Sequence, residues 1–424
     1  PARFPFPRFA GRSLSNLPAG RREDHGTAFG PPSPTGRAAR SNMKKLMHIG
    51  DLHLGFAHRY LGPKAPQRAG EILDVLERLV AYATEDAHEV AGVLIAGDLF
   101  ERHDPDRELT GRAQALLGRI PASGRTLVTV PGNHDEYSYP DSVYRRQADT
   151  WPGILVTCPQ PERVVVVDLG EVEAEIYAMA FTAGLSSKRL AVFGCDNGDE
   201  TVPSTKPRVR VAVLHGTLDA DPADRSYRID RPVLGESGVT YAALGHIHKP
   251  AEHAFSGGLA VYPGTLNGKG FDDPGVDALT LVSFPAGRAQ VERVPVPVPV
   301  RRIESRAIDL SSFASQEDLV ATVEQDLDAD RILALELFGS RPPDYDPAEL
   351  RGRLGTKCFH FELEDQSIQI DDDELSALEQ QPTLRGLFVQ KLREQMAACA
   401  GDEGELARLR LAMRKGLAAF GDGS

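Results

Sequence analysis

The sequence predicts an α/β chain in which two β-sheets pack face to face between helices, followed by a small α+β domain and terminal helices. Three observations carry this. Residues 43–130 alternate strand-like and helix-like periods. After Trp151, the only tryptophan, strand-like runs follow in quick succession; beyond residue 300 a shorter strand–helix alternation resumes.

Residues 1–42 hold seven prolines, seven arginines and two acids, a local charge of +5, and almost no periodic apolar pattern. Such a stretch cannot bury enough surface to offset the entropy of ordering. It reads as a disordered basic extension upstream of a natural start at Met43, with a nucleic-acid-binding arm as the other reading. From Met43 the expected elements are a strand over Leu46–Gly50, an amphipathic helix over Gln67–Glu89 and a strand over Ala91–Ala96. A helix near Leu109–Gly118 and a strand over Thr126–Val130 complete the set. This β-α-β-α-β rhythm implies a largely parallel sheet. After Trp151 the strand-like runs are Val164–Val167, Glu175–Ala180, Val209–Leu214, Tyr241–Leu244, Leu259–Tyr262 and Ala278–Phe284, so many that two sheets packed face to face are needed to absorb them. The Val164–Asp168 run is expected to be a buried central strand.

Val-Pro-Val-Pro-Val-Pro-Val at 294–300 removes alternate ladder donors, so it reads as a linker or an edge strand and marks the end of a domain over 43–300. A small α+β domain over 301–381 would contain strands Ile303–Leu310, Arg331–Phe338 and Lys357–Leu363, with helices Gln316–Leu327 and Pro347–Arg353. Residues 382–424 read as two amphipathic helices. Leu384, Leu387, Phe388, Leu392 and Met396 form one stripe, and Leu406, Leu409, Met413, Leu417 and Phe420 the other. Such a pair either packs on its own domain or docks a partner helix.

Composition bounds the function. With 41% hydrophobic and 26% charged residues the 424-residue chain is of ordinary globular type. No stretch has the roughly 18 apolar residues of a membrane span, which places the protein in the cytoplasm. Cys158, Cys195, Cys358 and Cys399 lie far apart with no C-x-x-C pair, against a zinc knuckle or redox motif. A net charge of −13 excludes coating of nucleic acid by bulk electrostatics.

Five short polar segments close apolar runs: Asp51-Leu52-His53, Gly97-Asp98, Gly132-Asn133-His134-Asp135, His215-Gly216 and Gly245-His246-Ile247-His248. Strands ending in these residues deliver them to one rim of a sheet. Carboxylate, amide and imidazole donors without thiolate suit manganese, iron or zinc rather than magnesium alone. Two divalent ions about 3.5–4 Å apart polarise a phosphoryl group and generate a nucleophile near neutral pH. Holding them so close needs a bridging carboxylate, for which Asp98 is the natural candidate. Singly each segment is weak; five in this order form a strong joint signal.

These segments resemble the calcineurin-like metallophosphoesterase superfamily, with its D-x-H, G-D, G-N-H-(D/E), H and G-H-x-H signature. The wording around Asp51, Asp98, His134 and His246 is most similar to the SbcD/YhaO branch of DNA repair exonucleases, bacterial relatives of the meiotic recombination nuclease. The resemblance covers roughly residues 43–300 and implies a four-layer αββα sandwich. It puts Asp51, His53, Asp98 and His248 around one metal and Asp98, Asn133, His215 and His246 around the other. It makes His134 the group beside the scissile phosphate and suggests that Asp135 orients His134. Repair nucleases of this kind often carry a histidine three residues after the bridging aspartate; here that position is Glu101, with His103 nearby.

The segment Tyr262–Lys269 also resembles the YhaO branch, its glycines permitting backbone to approach a phosphate. Lys269 is a candidate DNA contact, as are Arg228 and Lys206, Arg208, Arg210, Arg225 and Arg231. The resemblance further implies manganese as the metal (with magnesium, iron or zinc as other fits), 3′-to-5′ exonuclease and single-strand endonuclease activity, and a nucleoid-associated homodimer working with an SMC-like coiled-coil ATPase. Two rival readings are a small-molecule phosphodiesterase of the same fold and a DNA-end tether with dispensable catalysis.

Overall fold

The computed structural model describes residues 43–182, 205–220, 226–296, 301–367, 372–399 and 403–420. The basic extension 1–42, Cys195, Arg225 and residues 297–300 lie outside them. Among the described residues no helix is long and apolar enough to cross a membrane.

The amino-terminal half builds a sheet from β1 (Lys45–Ile49), α1 (Ala65–Thr84), β2 (Val90–Ala96), α2 (Arg107–Leu117), α3 (Arg119–Ala122), β3 (Thr126–Val130), α4 (Val143–Arg146) and β4 (Ile154–Leu155). The second half adds β5 (Glu162–Asp168), β6 (Glu173–Ala178), β7 (Arg208–His215), β8 (Thr217–Leu218), β9 (Arg228–Ile229), α5 (Arg231–Glu236) and β10 (Val239–Gly245). It continues with β11 (Ala251–Phe255), β12 (Gly258–Tyr262), β13 (Ala278–Ser283) and β14 (Gln290–Pro295). The first sheet runs β14-β13-β1-β2-β3-β4 and the second β11-β12-β10-β7-β6-β5. β1, β2 and β3 are mutually parallel, as are β7 and β10.

Alternation along the strands makes the layers. In β1, Leu46 joins Leu94, Val128, Val211 and Ala243 between the sheets, whereas Met47 and Ile49 turn outward onto Ile72 and Leu76 of α1. On the far side Leu214 and Leu244 pack with Leu234 of α5. The result is the αββα order.

His48 shares the inter-sheet face with Leu46. It is fully buried and its Nδ1 is 2.9 Å from the Tyr241 hydroxyl. Burial, with Arg293 adding to it, lowers its pKa to about 3. A folded pKa below the unfolded value gives stability that is present above about pH 6.5 and is lost as pH falls toward 3. The unfolding free energy, followed by urea titration from pH 7 to pH 4, should therefore fall less in a His48→Gln variant than in the wild type. Identical slopes would exclude this assignment.

The Val164–Asp168 run is not a central strand. β5 is the edge of the second sheet, and Val166 is exposed. A row of valines encodes preference for the pleated conformation but not the number of neighbours. Here the hairpin to β6 fixes one side, and among the described residues no strand pairs with the other.

The region expected to be a small domain holds β15 (Ile303–Asp309), α6 (Gln316–Glu324), β16 (Ile332–Phe338), α7 (Pro347–Gly355) and β17 (His360–Asp365). Its strands form a three-stranded parallel sheet within the same compact unit as the two larger sheets. Leu319, Val323, Leu350 and Leu354 of its helices cover Leu333, Leu335 and Leu337. Ser315 and Asp346 cap the helices, accepting from Asp318 N and from Ala348 N and Glu349 N. After α8 (Asp372–Glu379), residues 382–424 hold two helices, α9 (Leu384–Ala398) and α10 (Glu403–Ala419). Val389 and Leu392 pack on Met413 and Leu417, but Leu384 and Leu387 are 77% and 51% exposed, so the expected stripe is split between two faces.

The small domain meets α1 at one polar clasp inside an apolar patch. Arg301 binds the Glu71 carboxylate at 2.6–3.0 Å while its guanidinium lies 3.5 Å from the Phe359 ring centroid. Leu61, Ile303, Ile332 and Phe359 surround it.

Candidate metal centre

Because β1, β2, β3, β7 and β10 run the same way within their sheets, Asp51, Asp98, Asn133, His215 and His246 all emerge at carboxyl ends. This is the end at which open α/β sheets place ligands. Leaving a strand so abruptly needs unusual backbone. Asp51, His53, Asp98 and His246 have φ of 54°, 47°, 49° and 97°. Non-glycine residues rarely adopt this region, at a cost of about 1–3 kcal/mol each, and such strain gathers at functional sites.

The glycines have spatial reasons. Gly97 has φ 91°, and a Cβ there would sit 2.1 Å from His215 Nδ1; one on Gly245 would sit 1.8 Å from Ala96 O. Gly97→Ala should cost about 2 kcal/mol or more of stability and displace His215. Thermal unfolding together with metal content checks this, and a variant with wild-type values in both would refute it.

The donor atoms converge. His53 Nδ1 lies 2.9 Å from a Glu101 oxygen and His248 Nδ1 lies 2.5 Å from Asp273 Oδ2. Ionised carboxylates only accept, so the His248 ring carries its proton on Nδ1. The approach of the Glu101 carboxylate favours the same tautomer for His53, although those two atoms are not aligned as a hydrogen bond. Their Nε2 lone pairs then face each other at 3.0 Å. His215 repeats the pattern: Nδ1 donates to Ala96 O at 2.9 Å, and Nε2 points at Asn133 Oδ1, 2.8 Å away. His246 Nδ1 lies 2.9 Å from the same Asn133 oxygen. Asp98 Oδ2 stands 3.7 Å from His53 Nε2 and 3.5 Å from His215 Nε2, between the two histidines. Lone pairs packed this closely repel one another unless cations lie among them. The oxygen and imidazole donor set therefore fits divalent metal.

Among the described residues four groups have donor atoms within 4.8 Å of one another: Asp51-His53-His248 and Asp51-Asp98-His215, then His53-Glu101-His134 at the edge of the same cluster and His103-Asp104-Asp141 apart from it. The first two form the centre. Asp51 belongs to both, and its two oxygens also accept from His246 N at 2.9 and 3.1 Å. Burial raises its pKa to about 6, offset in part by His215. Asp98 is equally buried, yet the His215 and His53 imidazoles outweigh burial and hold its carboxyl below the usual range. Burial lowers His53 to about 4. His215 is raised, because Asp98 and Asp51 overcome its burial.

His134 sits at the partly exposed mouth. Its backbone N donates to Asp98 Oδ1 at 2.9 Å, and its ring lies edge-on to His53 with centroids 4.7 Å apart. Its Nδ1 donates to the main-chain carbonyl of Glu101 at 3.1 Å, which leaves Nε2 as the ring's second polar atom.

Asp135 does not orient His134. Its buried carboxylate accepts from Gly132 N (2.7 Å), Phe100 N (3.1 Å) and the Tyr144 hydroxyl (2.7 Å), tying the Asn133 loop to the loop after Asp98. Adjacent side chains at a turn leave in different directions, which the motif alone does not reveal. His103 is also turned away from the donor groups, stacked on Tyr139 at 4.2 Å and 3.4 Å from Asp141.

The Tyr262–Lys269 segment approaches protein backbone rather than open space. Thr265 donates to Asp51 O (2.6 Å) and Asn267 to Leu52 O (3.2 Å), so the segment buttresses the Asp51–His53 turn. Lys269 binds Glu101 at 2.9 Å and lies 5.0 Å from the Phe56 ring centroid. Arg228 pairs with Asp230 at 2.7 Å, Lys206 with Asp168, Arg208 with Glu173, Arg210 with Glu175 and Arg231 with Asp219. These are self-neutralised surfaces rather than a free basic track. Sequence reasoning missed Asp273, whose only signal is an acid just beyond the buttressing segment.

The model of the calcineurin-like phosphoesterase family matches residues 44–250, the stretch that carries all five segments. The chain carries a calcineurin-like metallophosphoesterase domain. Such a domain is that of a metal-dependent phosphoester hydrolase. The domain is similar to the DNA double-strand break repair protein Mre11 of Aeropyrum pernix, 28% identical over 268 residues, covering 62% of this chain and 63% of the relative. The SbcD component of the nuclease SbcCD of Escherichia coli K12 is 25% identical over 324 residues, covering 66% and 75% respectively. The uncharacterized metallophosphoesterase YhaO of Bacillus subtilis is 26% identical, covering 58% and 59%. The chain thus spans less than two thirds of the Aeropyrum protein's length.

Proposed function

We propose that this chain is a two-metal DNA phosphodiesterase, using manganese, that degrades DNA from 3′ ends and cuts single strands during double-strand-break repair. The observation that carries the chemistry is the convergence of imidazole Nε2 atoms and Asn133 on Asp98, with His134 at the open side. Asp51, His53, Asp98 and His248 would hold one ion, and Asp98, Asn133, His215 and His246 the other. Metal bound there supplies Lewis acidity for phosphoester hydrolysis.

The chain's own groups do the rest. The paired carboxylates and their outer partners fix the donor positions. His134 acts as the imidazolium, its Nδ1–H held by the Glu101 carbonyl while its Nε2–H donates a hydrogen bond and then its proton to the departing 3′ oxygen, leaving the neutral ring. DNA rather than a small ester is favoured by the names of the relatives in repair and nuclease function and by the additional small domain and helices, which a small substrate does not need. In this reading much of the DNA grip comes from a partner, an SMC-like ATPase docking on Leu384 and Leu387, and from a second copy of this chain; the pairing of the candidate basic residues with acids supports it.

The test compares manganese-dependent cleavage of end-labelled linear duplex DNA with turnover of bis-p-nitrophenyl phosphate. Progressive loss of nucleotides from the 3′ end is expected. Intact DNA under conditions that hydrolyse the chromogenic ester would overturn the nuclease reading in favour of a small-molecule phosphodiesterase.

A further inference from the structure

Glu101 stands at a crossing of contacts that the metal-binding roles do not use. One carboxylate oxygen is 2.9 Å from His53 Nδ1 and 2.9 Å from Lys269 Nζ; the other is 3.7 Å from His134 Nδ1. Its main-chain carbonyl accepts from His134 Nδ1 at 3.1 Å. The residue is itself anchored, since Glu101 N donates to Leu54 O at 3.0 Å and so pins the loop after Asp98 to the turn bearing His53. The oxygen shared by His53 and Lys269 faces two nitrogens, the setting of a carboxylate that only accepts.

We infer that Glu101 is a positioning residue that sets two histidines at once, its side chain fixing His53 and its main chain fixing His134. With Nδ1 of each ring turned to Glu101, both Nε2 atoms are left for chemistry. His53 Nε2 turns to the metal donors and His134 Nε2 to the open mouth. A ligand and the proton donor thereby share one support, so their separation is set by a single residue. Lys269 then acts as a clamp on the carboxylate, which explains why a lysine beside the site points inward, only 16% exposed. The part concerning His134 rests on the nuclease reading above; the part concerning His53 rests on the metal site alone.

Two measurements on the full chain separate these parts. Long-range proton–nitrogen NMR of metal-free protein reads the imidazole tautomers with no substrate present. The inference requires Nδ1–H on both His53 and His134, and Nε2–H on His53 would overturn it. Calorimetric titration with manganese then compares Glu101→Ala, Glu101→Gln and Lys269→Met. Loss of an outer partner to a metal-bound histidine costs about 10–100-fold in affinity, so Glu101→Ala should bind manganese that much more weakly. Glu101→Gln, whose amide oxygen can accept from the same nitrogen, should stay within a few-fold of wild type, and Lys269→Met should lie between them.

Wild-type affinity in Glu101→Ala, or equal loss in Glu101→Gln, would overturn the positioning role; where Glu101→Ala fails to fold, the tautomers and Glu101→Gln decide. With manganese saturating, Glu101→Ala should still show a lower kcat on linear DNA, whose departing oxygen needs a proton, reporting the loosened His134. Turnover of bis-p-nitrophenyl phosphate, whose leaving group needs none, should change little. An unchanged kcat on DNA would remove His134 from the inference. Inactivity of every variant and the wild type on DNA alone would instead count against the nuclease reading and leave the tautomer and affinity results standing.

Discussion

Replacing Asp98 with Asn is expected to remove the second metal ion and lower phosphodiester turnover by about 10³-fold or more, since metal polarisation is worth several kcal/mol and each 1.36 kcal/mol is tenfold. The amide keeps an oxygen for the bond from His134 N, so the loop survives. What disappears is the charge between His53 and His215. The metal-free protein should lose stability as well. Asp98 repels Asp51, but the His215 and His53 imidazoles outweigh burial and hold its carboxyl below the usual range. Its charge therefore stabilises the fold near neutral pH, and that stability is lost as pH falls through the folded pKa. The Asp98→Asn chain, unfolded by urea at neutral pH in the presence of a chelator, should be less stable than the wild type. Elemental analysis and urea titration together check both halves; a variant as stable as the wild type that retained its full complement of metal would refute them.

His134→Gln should behave differently. The imidazole lies beside the metal donors but offers its free nitrogen to the mouth, so manganese occupancy should be unchanged while kcat falls about 10²–10⁴-fold, the usual worth of a positioned general acid. KM should move little, because the lost interaction belongs to the transition state. A fall in manganese occupancy equal to that of Asp98→Asn would reassign His134 as a ligand. Substrates with a better leaving group should suffer less from the substitution, as p-nitrophenolate needs no proton.

Much of this was legible in the sequence because parallel strands impose a common exit. Once β-branched runs were seen to end in Asp51, Asp98, Asn133, His215 and His246, a shared rim followed from topology alone. The glycines of the motifs likewise announced close approaches. What the sequence concealed was direction. It placed Asp135 beside His134 in the chain but not the turn that sends its carboxylate to Gly132, Phe100 and Tyr144. It marked Tyr262–Lys269 as special, yet the backbone it approaches belongs to the protein. It gave β5 four consecutive valines, which describe an edge as well as a centre. Asp273 and Glu101 matter through partners 25 and 48 residues away, and no local pattern encodes such pairings.

The clasp at Arg301 has a mechanical meaning. It joins the small domain to α1 through a guanidinium caught between Glu71 and the Phe359 ring, with Lys64 reaching the Phe359 carbonyl from the same side. Leu61, in that contact, lies only a short loop beyond His53. Arg301 is thus a pivot with the small domain on one arm and the His53 loop on the other. At this clasp the small sheet and the loop that follows His53 share one set of non-covalent contacts.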